Sequence, residues 1–232
     1  MASLLKVRGI ENLSDAGKRA VIDVANSLGI NPDWLVTVMS FESAGSFDPG
    51  KKNAAGSGAT GLIQFMPTTA GLLGTSTAQL AQMSQEEQIR GPVYQYFKNH
   101  GRLGSLEDTY LAVFYPSAIG KPDDYVVGEQ GSKVYEQNKG FDTRGTGQIT
   151  KHMITSTIRN VYNAASGARV EVPGASPFGD TPFTSDSSEL QATQSSTGEP
   201  GESLTEKPDE TLDTEQAGFV KLFHNWLKGL DS

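Results

Sequence analysis

One carboxylate closes a mostly apolar run, Leu35-Val-Thr-Val-Met-Ser-Phe-Glu-Ser43. Apolar residues at 34, 35, 38, 39 and 41 recur at helical rather than strand spacing. Asn31 and Pro32 supply a cap and a first-turn proline, so a helix is predicted from 31–32 to about Ala44-Gly45. Glu42 then falls in its last turn, where partial negative charge collects. Val38 and Met39 share its face and can shield it from water. Both effects favour the protonated carboxyl, which is the form a general acid needs near neutral pH. A glutamate ending a helix also serves as a solvated rim residue or a hydrogen-bonded structural acid, so its surroundings decide its weight. Downstream, Gly56, Gly58 and Gly61 lead into Gly61-Leu-Ile-Gln64 and Pro67. Glycines allow close backbone approach. Gln64 is an amide in apolar company and must find partners in core backbone or in a polar substrate.

The elements that position these residues are mostly helices. Ser14 or Asp15 caps a first helix that runs to about Leu28, with Ala20, Val21, Val24 and Leu28 on one stripe and Gly29 ending it. The Glu42 helix follows at once, making a hairpin with the glutamate at its far end. Residues 44–60 form a loop whose Asp48-Pro-Gly50 is a turn signal. Pro67 opens a short helix to Leu73, and another short turn is expected over 77–83. Ser84-Gln-Glu-Glu87 is a capping box that launches a helix to about Asn99, kinked or broken at Gly91-Pro92. Ser105 caps a helix over 106 to about 115. Residues 116–139 alternate turn signals with Tyr125, Val126, Val127, Val134 and Tyr135. Asp142 to Thr150 has the outline of a calcium loop, but Arg144, Thr146 and Met153 stand where ligands are needed. It is read as a turn and a helix cap, with no metal. Thr150 then caps a helix to about Ala164 or Ala165.

Composition excludes several chemistries. No cysteine is present among the 232 residues, and the three histidines, at 100, 152 and 224, are widely spaced. Thiolate catalysis is ruled out and no zinc cluster is suggested. The N-terminus lacks a signal-peptide pattern, and no apolar run approaches the roughly 18 residues of a membrane span, so neither is expected. Residues 170–218 carry eleven acids against Lys207, a balance of −10, so the rest of the chain holds +2 of the overall −8. The region around Glu42 is near neutral, so it does not repel an anionic polymer and is unlike a nucleic-acid surface.

The pairing of Glu42-Ser43 with Gly61-Leu62-Ile63-Gln64 and Pro67 resembles the signature of lytic transglycosylases and goose-type lysozymes, over roughly residues 20–140. The resemblance implies a mainly α, lysozyme-like fold and cleavage of the MurNAc–GlcNAc bond of peptidoglycan glycan strands, without cofactor. In that family a single glutamate is acid and base, which here is Glu42. The family's Gly-Leu-Met-Gln segment reads Gly-Leu-Ile-Gln here, so Ser43, Gly61, Ile63 and Gln64 are the implied sugar contacts. The family's Ala-Tyr-Asn pattern departs further, reading Ala112-Val-Phe114-Tyr115. Phe114 has no hydroxyl to orient the acid. Tyr115, after a one-residue adjustment, is the preferred substitute, and Tyr110 from the preceding turn is the other. An aromatic core position is the plain alternative for both. A further family tyrosine beneath the glutamate maps to Tyr125 or Tyr135. Asp48 is either a second acid positioning water, as in goose-type hydrolases, or the cap of its own Pro49 turn.

The expected organisation is an N-terminal segment over 1–12, a catalytic domain over 13–167, an acidic Pro/Ser/Thr-rich linker over 168–218, and an amphipathic docking helix over 219–230. The first segment is read as laid on the domain or as an assembly contact. Phe219, Phe223, Trp226, Leu227 and Leu230 give the last helix an apolar face. Twelve residues do not hold a helix alone, so it should dock on the domain or on another protein. A signal-less wall cleaver with a tethered helix fits a bacteriophage virion protein made in the host cytoplasm and acting on periplasmic peptidoglycan during genome delivery. The product chemistry implied is a 1,6-anhydro end. A goose-type muramidase, an endolysin and an inactive wall-binding virion protein are the alternatives.

Overall fold

Ser14 accepts the amide of Gly17, and Gly29 adopts a φ of 68°, so α1 (Asp15–Leu28) starts and stops at the residues its sequence marks. Two residues later Asn31 accepts the amide of Asp33 and Pro32 opens α2 (Pro32–Glu42). The computed structural model describes residues 2–54 and 56–175. The expected helix over 219–230, and the linker beyond 175, lie outside the described residues.

The domain is mainly helical and is built around α2. That helix packs against α1, against α7 (Leu106–Phe114), against α9 (Lys151–Ala164) and against a short strand, β1 (Ser3–Leu5). Leu35, Val36, Val38 and Met39 are wholly buried, the pattern of a helix enclosed on most sides. Each large apolar side chain fully buried contributes about 1.5–3 kcal/mol. Together they outweigh the roughly 1–3 kcal/mol that one neutral polar group costs on losing water. The same helix can therefore carry a buried carboxyl.

Short helices α3 (Pro67–Leu72) and α4 (Thr77–Leu80) lead to α5 (Gln85–Gln88), whose start is a complete capping box between Ser84 and Glu87. The break expected at Gly91-Pro92 takes a specific form. Pro92 has no N–H to give to the ladder, and the chain widens into a π-helical turn, Ile89–Val93, before α6 (Tyr94–Asn99) continues.

Two small antiparallel ladders complete the body, and neither was foreseen. β2 (Val126–Glu129) pairs with β3 (Gln148–Thr150), enclosing α8 (Lys133–Asn138). β1 pairs with β4 (Arg169–Glu171), Leu4 opposite Val170. The boundary drawn at 167 thus falls inside the folded body, and Val172 beyond it is buried. Residues 2–12 are laid on the domain, with Leu4, Leu5, Val7 and Ile10 in the core. Strands of three or four residues carry no readable alternation, and partners 166 positions apart leave no local trace. Among the described residues no helix is long and apolar enough to cross a membrane.

Candidate active site

Glu42 is the last residue of α2 and only 6 % exposed. Ser43 caps the helix, its amide donating to the Met39 and Phe41 carbonyls. Removed from water, the carboxyl is pushed up to about 8, with burial as the cause. It is therefore mostly protonated at neutral pH.

Tyr110, from α7, is electrostatically coupled to it. Tyr110 is 1 % exposed, its ring edge-on to Phe41 at 5.4 Å and stacked on Phe114 at 5.7 Å. Burial first, and then the charge of Glu42, hold its hydroxyl well above the ordinary phenol range. It stays a neutral donor throughout the working pH range. Phe114, aligned with the family tyrosine, is a core residue wedged between Tyr110 and Phe141. Residue 110 lies four positions before 114, so both side chains share one face of α7, a turn apart. Tyr115 ends α7 as its cap and packs half-buried against the core.

The glycine-rich segment folds into a tight loop in which Thr60 pairs with Phe65. Gly61 has a φ of 96°, and its amide donates to the Lys51 carbonyl. A Cβ there would press on the Gln88 side chain, with Oε1 only 2.5 Å away. Gln64 holds a left-handed φ of 57°, and its Nε2 donates to the carbonyls of Lys51 and Gly61, both at 2.9 Å. Its Oε1 is buried without a partner. Gln64 therefore has both amide hydrogens committed to its own loop and one acceptor to spare. Ile63 is 2 % exposed and turned to the core, and Ser43 is fully buried with its Oγ accepting the amide of Phe47.

Gln88 was missed by sequence reasoning. Fully buried, it accepts the Leu62 amide at 2.7 Å and donates to the carbonyls of Pro49 and Leu80. It anchors both ends of the 49–62 loop. The signal was a lone amide just after a capping box and next to Ile89, too weak to separate from a surface glutamine.

The other candidates sit elsewhere in the bonding pattern. Asp48 is exposed, and its Oδ1 accepts the Gly50 amide at 2.8 Å, as a turn cap does. Tyr125 is half-buried with the Lys121 ammonium 5.8 Å from its ring centre. The Tyr135 hydroxyl donates to Asp142 Oδ2 at 2.9 Å. Asp142 also accepts from the Thr146 amide and hydroxyl and from the Gly147 amide. The Thr146 amide leads the causes that pull its carboxyl down to about 2. The calcium-loop outline thus closes on itself as a turn. Among the described residues no group of three or more His, Cys, Asp or Glu side chains could hold a metal ion.

Residues 19–93 match the family model of the Transglycosylase SLT domain. The matched stretch contains Glu42, the 61–67 segment and Gln88, while Tyr110 lies beyond it. The match supports a lytic-transglycosylase-type enzymatic activity, with peptidoglycan as a consistent substrate. No curated protein and no solved structure matches the chain.

Proposed function

We propose that this protein is a peptidoglycan lytic transglycosylase that cleaves the β-1,4 bond between MurNAc and GlcNAc, with Glu42 as its acid and then its base. The observation that carries this reading is the buried carboxyl of Glu42, raised to about 8 by loss of water. At pH 7 such a group is about nine-tenths protonated. It gives its proton to the glycosidic oxygen as the C1–O bond breaks, and GlcNAc leaves as an alcohol. The resulting carboxylate sits near the Tyr110 phenol, which stays un-ionised and can donate to the new charge. The carboxylate then takes the proton of the MurNAc C6 hydroxyl, whose oxygen closes on C1 as a 1,6-anhydro ring. Glu42 ends protonated, and no water is consumed.

Gln64 Oε1, the unused acceptor of the loop, is suited to a sugar hydroxyl or acetamido N–H, and the backbone around Gly61 supplies the wall beside it. Ser43 and Ile63 contribute by shape, since their side chains face inward. Hydrolysis needs a carboxylate able to deliver water across the bond, the role for which Asp48 is the sequence candidate. Its turn-capping bond to Gly50 gives that role no support. Action as a phage virion component belongs to the same proposal and rests on the sequence of residues 168–230.

Digestion of purified walls in ¹⁸O-water tests the chemistry. Transglycosylation gives anhydro ends free of label. One ¹⁸O at each new reducing end would mean a goose-type hydrolase instead.

A further inference from the structure

The family match begins at residue 19, yet the turn that follows Glu42 is built on residues before it. Gly9, with a φ of 73°, opens a single 3-10 turn, Ile10–Asn12. It lies so close to the backbone of Gly45 that a Cβ at residue 9 would collide with the Gly45 carbonyl oxygen. Gly45 has a φ of 75°, and a Cβ on it would meet Arg8 at 3.1 Å. Asn12 Nδ2 donates to the same Gly45 carbonyl at 2.9 Å. Ser40 Oγ donates to the Arg8 carbonyl at 2.7 Å. Glu42 is thus bracketed by Ser40 and Gly45, and both hang on the stretch 8–12.

The same segment is fixed at its own ends. Gln85 Nε2 donates to the carbonyls of Asn12 and Phe47, and its Oε1 accepts the Ser14 amide. The Leu5 amide donates to Asp33 Oδ1 at the start of α2, and Arg169 grips both oxygens of Asp33. The N-terminal stretch from Leu5 to Asn12 therefore spans α2 from its first turn to the turn beyond its last.

We infer that residues 8–12 are a positioning strap for Glu42, with Gly9 and Asn12 setting how deeply its carboxyl sits. The inference rests on the reading of Glu42 as the acid. A helix C-terminus is where carbonyls lose their ladder partners and chains fray. Glu42, at that end, would swing toward water if the 43–46 turn loosened. Glycine at 9 and 45 permits a backbone approach that no other residue allows. The strap thus holds the turn by shape as well as by hydrogen bonds. Tyr110 is a titratable group facing Glu42 from α7, and the strap itself carries Arg8, whose Cγ lies against Gly45.

Gly9→Ala and Asn12→Ala, made in the full chain, test this by carbon-13 NMR titration of the Glu42 carboxyl, a readout that needs no substrate. The wild type should titrate near pH 8. Gly9→Ala should lower that midpoint by about one unit or more, a tenfold change in acidity constant, and Asn12→Ala should move it less in the same direction. The alkaline limb of wall cleavage should follow. Unchanged Glu42 titration in both variants would overturn the inference. So would loss of folding in Gly9→Ala together with wild-type titration in Asn12→Ala. A shifted Glu42 in a protein that never releases wall fragments would uphold the strap and remove the proposed function instead.

Discussion

Glu42 and Asp142 are both nearly sealed from solvent, at 6 % and 8 % exposure, yet their carboxyls move in opposite directions. Burial pushes Glu42 up to about 8. Asp142, led by its bond from the Thr146 amide, is held at about 2. Asp142 receives four hydrogen bonds from Tyr135, Thr146 and Gly147, all aimed at its charged form. Glu42 stands at a helix end whose carbonyls repel charge. Glu42 lies deep in the core without a donor bonded to its charge, whereas Asp142 lies under a shallow loop that supplies four, so depth and donors act together. One acid closes a loop, and the other keeps a proton it can transfer.

The largest test of that contrast is Glu42→Gln. Activity on walls should fall by about a thousandfold, the middle to upper range for a lost general acid. Stability should change with pH in a defined sense. The folded carboxyl is raised above its ordinary value of 4.5, so the native state loses stability as pH climbs from about 4.5 to 8. Glutamine removes that penalty. Urea denaturation should show the variant gaining up to about 5 kcal/mol at pH 8, from roughly 3.5 units at 1.4 kcal/mol each, and almost nothing at pH 4. Equal gains at both pH values would mean that Glu42 is not held protonated.

Tyr110→Phe comes next. Its ring contacts with Phe41 and Phe114 can persist, so the loss is mainly a hydroxyl. Cleavage should drop about a hundredfold, the low end of the range for one lost transition-state donor. The Glu42 midpoint should rise, because its carboxylate loses a nearby donor. A pH–rate profile with an unmoved alkaline limb would separate Tyr110 from the acid.

Asp142→Asn should leave wall cleavage nearly intact while lowering the melting temperature at pH 7. The folded Asp142 lies below its ordinary 3.8, so its contribution is present above pH 3.8 and fades as pH falls through about 2. Thermal melts of both proteins should therefore converge in strong acid. A smaller effect is expected from Asp48→Asn, which keeps an acceptor for the Gly50 amide and should leave the rate of wall cleavage within about twofold. A large loss of rate there would bring the hydrolytic reading forward.

Local chemistry made much of this legible. Ser14, Gly29, Asn31-Pro32 and the Ser84–Glu87 box each mark a helix end by a short-range bond, and α1, α2 and α5 start or stop on them. The position of Glu42 at the end of α2 follows from the same signals. What was not legible depends on partners distant in sequence. The β1–β4 ladder joins the two ends of the described body, and Gly9 needs no side chain to meet Gly45. Tyr110 is partly legible. It stands second to Tyr115 as a substitute for the family tyrosine, and the packing of α7 on α2 adds its electrostatic coupling to Glu42. Gln64 was legible as a buried amide, but the direction of its two donors, into its own loop, was not.

The most direct test of the central claim is mass spectrometry of muropeptides released from purified peptidoglycan by the wild-type protein and by Glu42→Gln. Anhydro-muropeptides from the wild type, absent with the variant, are the predicted result. Release that persists undiminished in Glu42→Gln would contradict it, since the buried carboxyl would then not be the group that moves the proton.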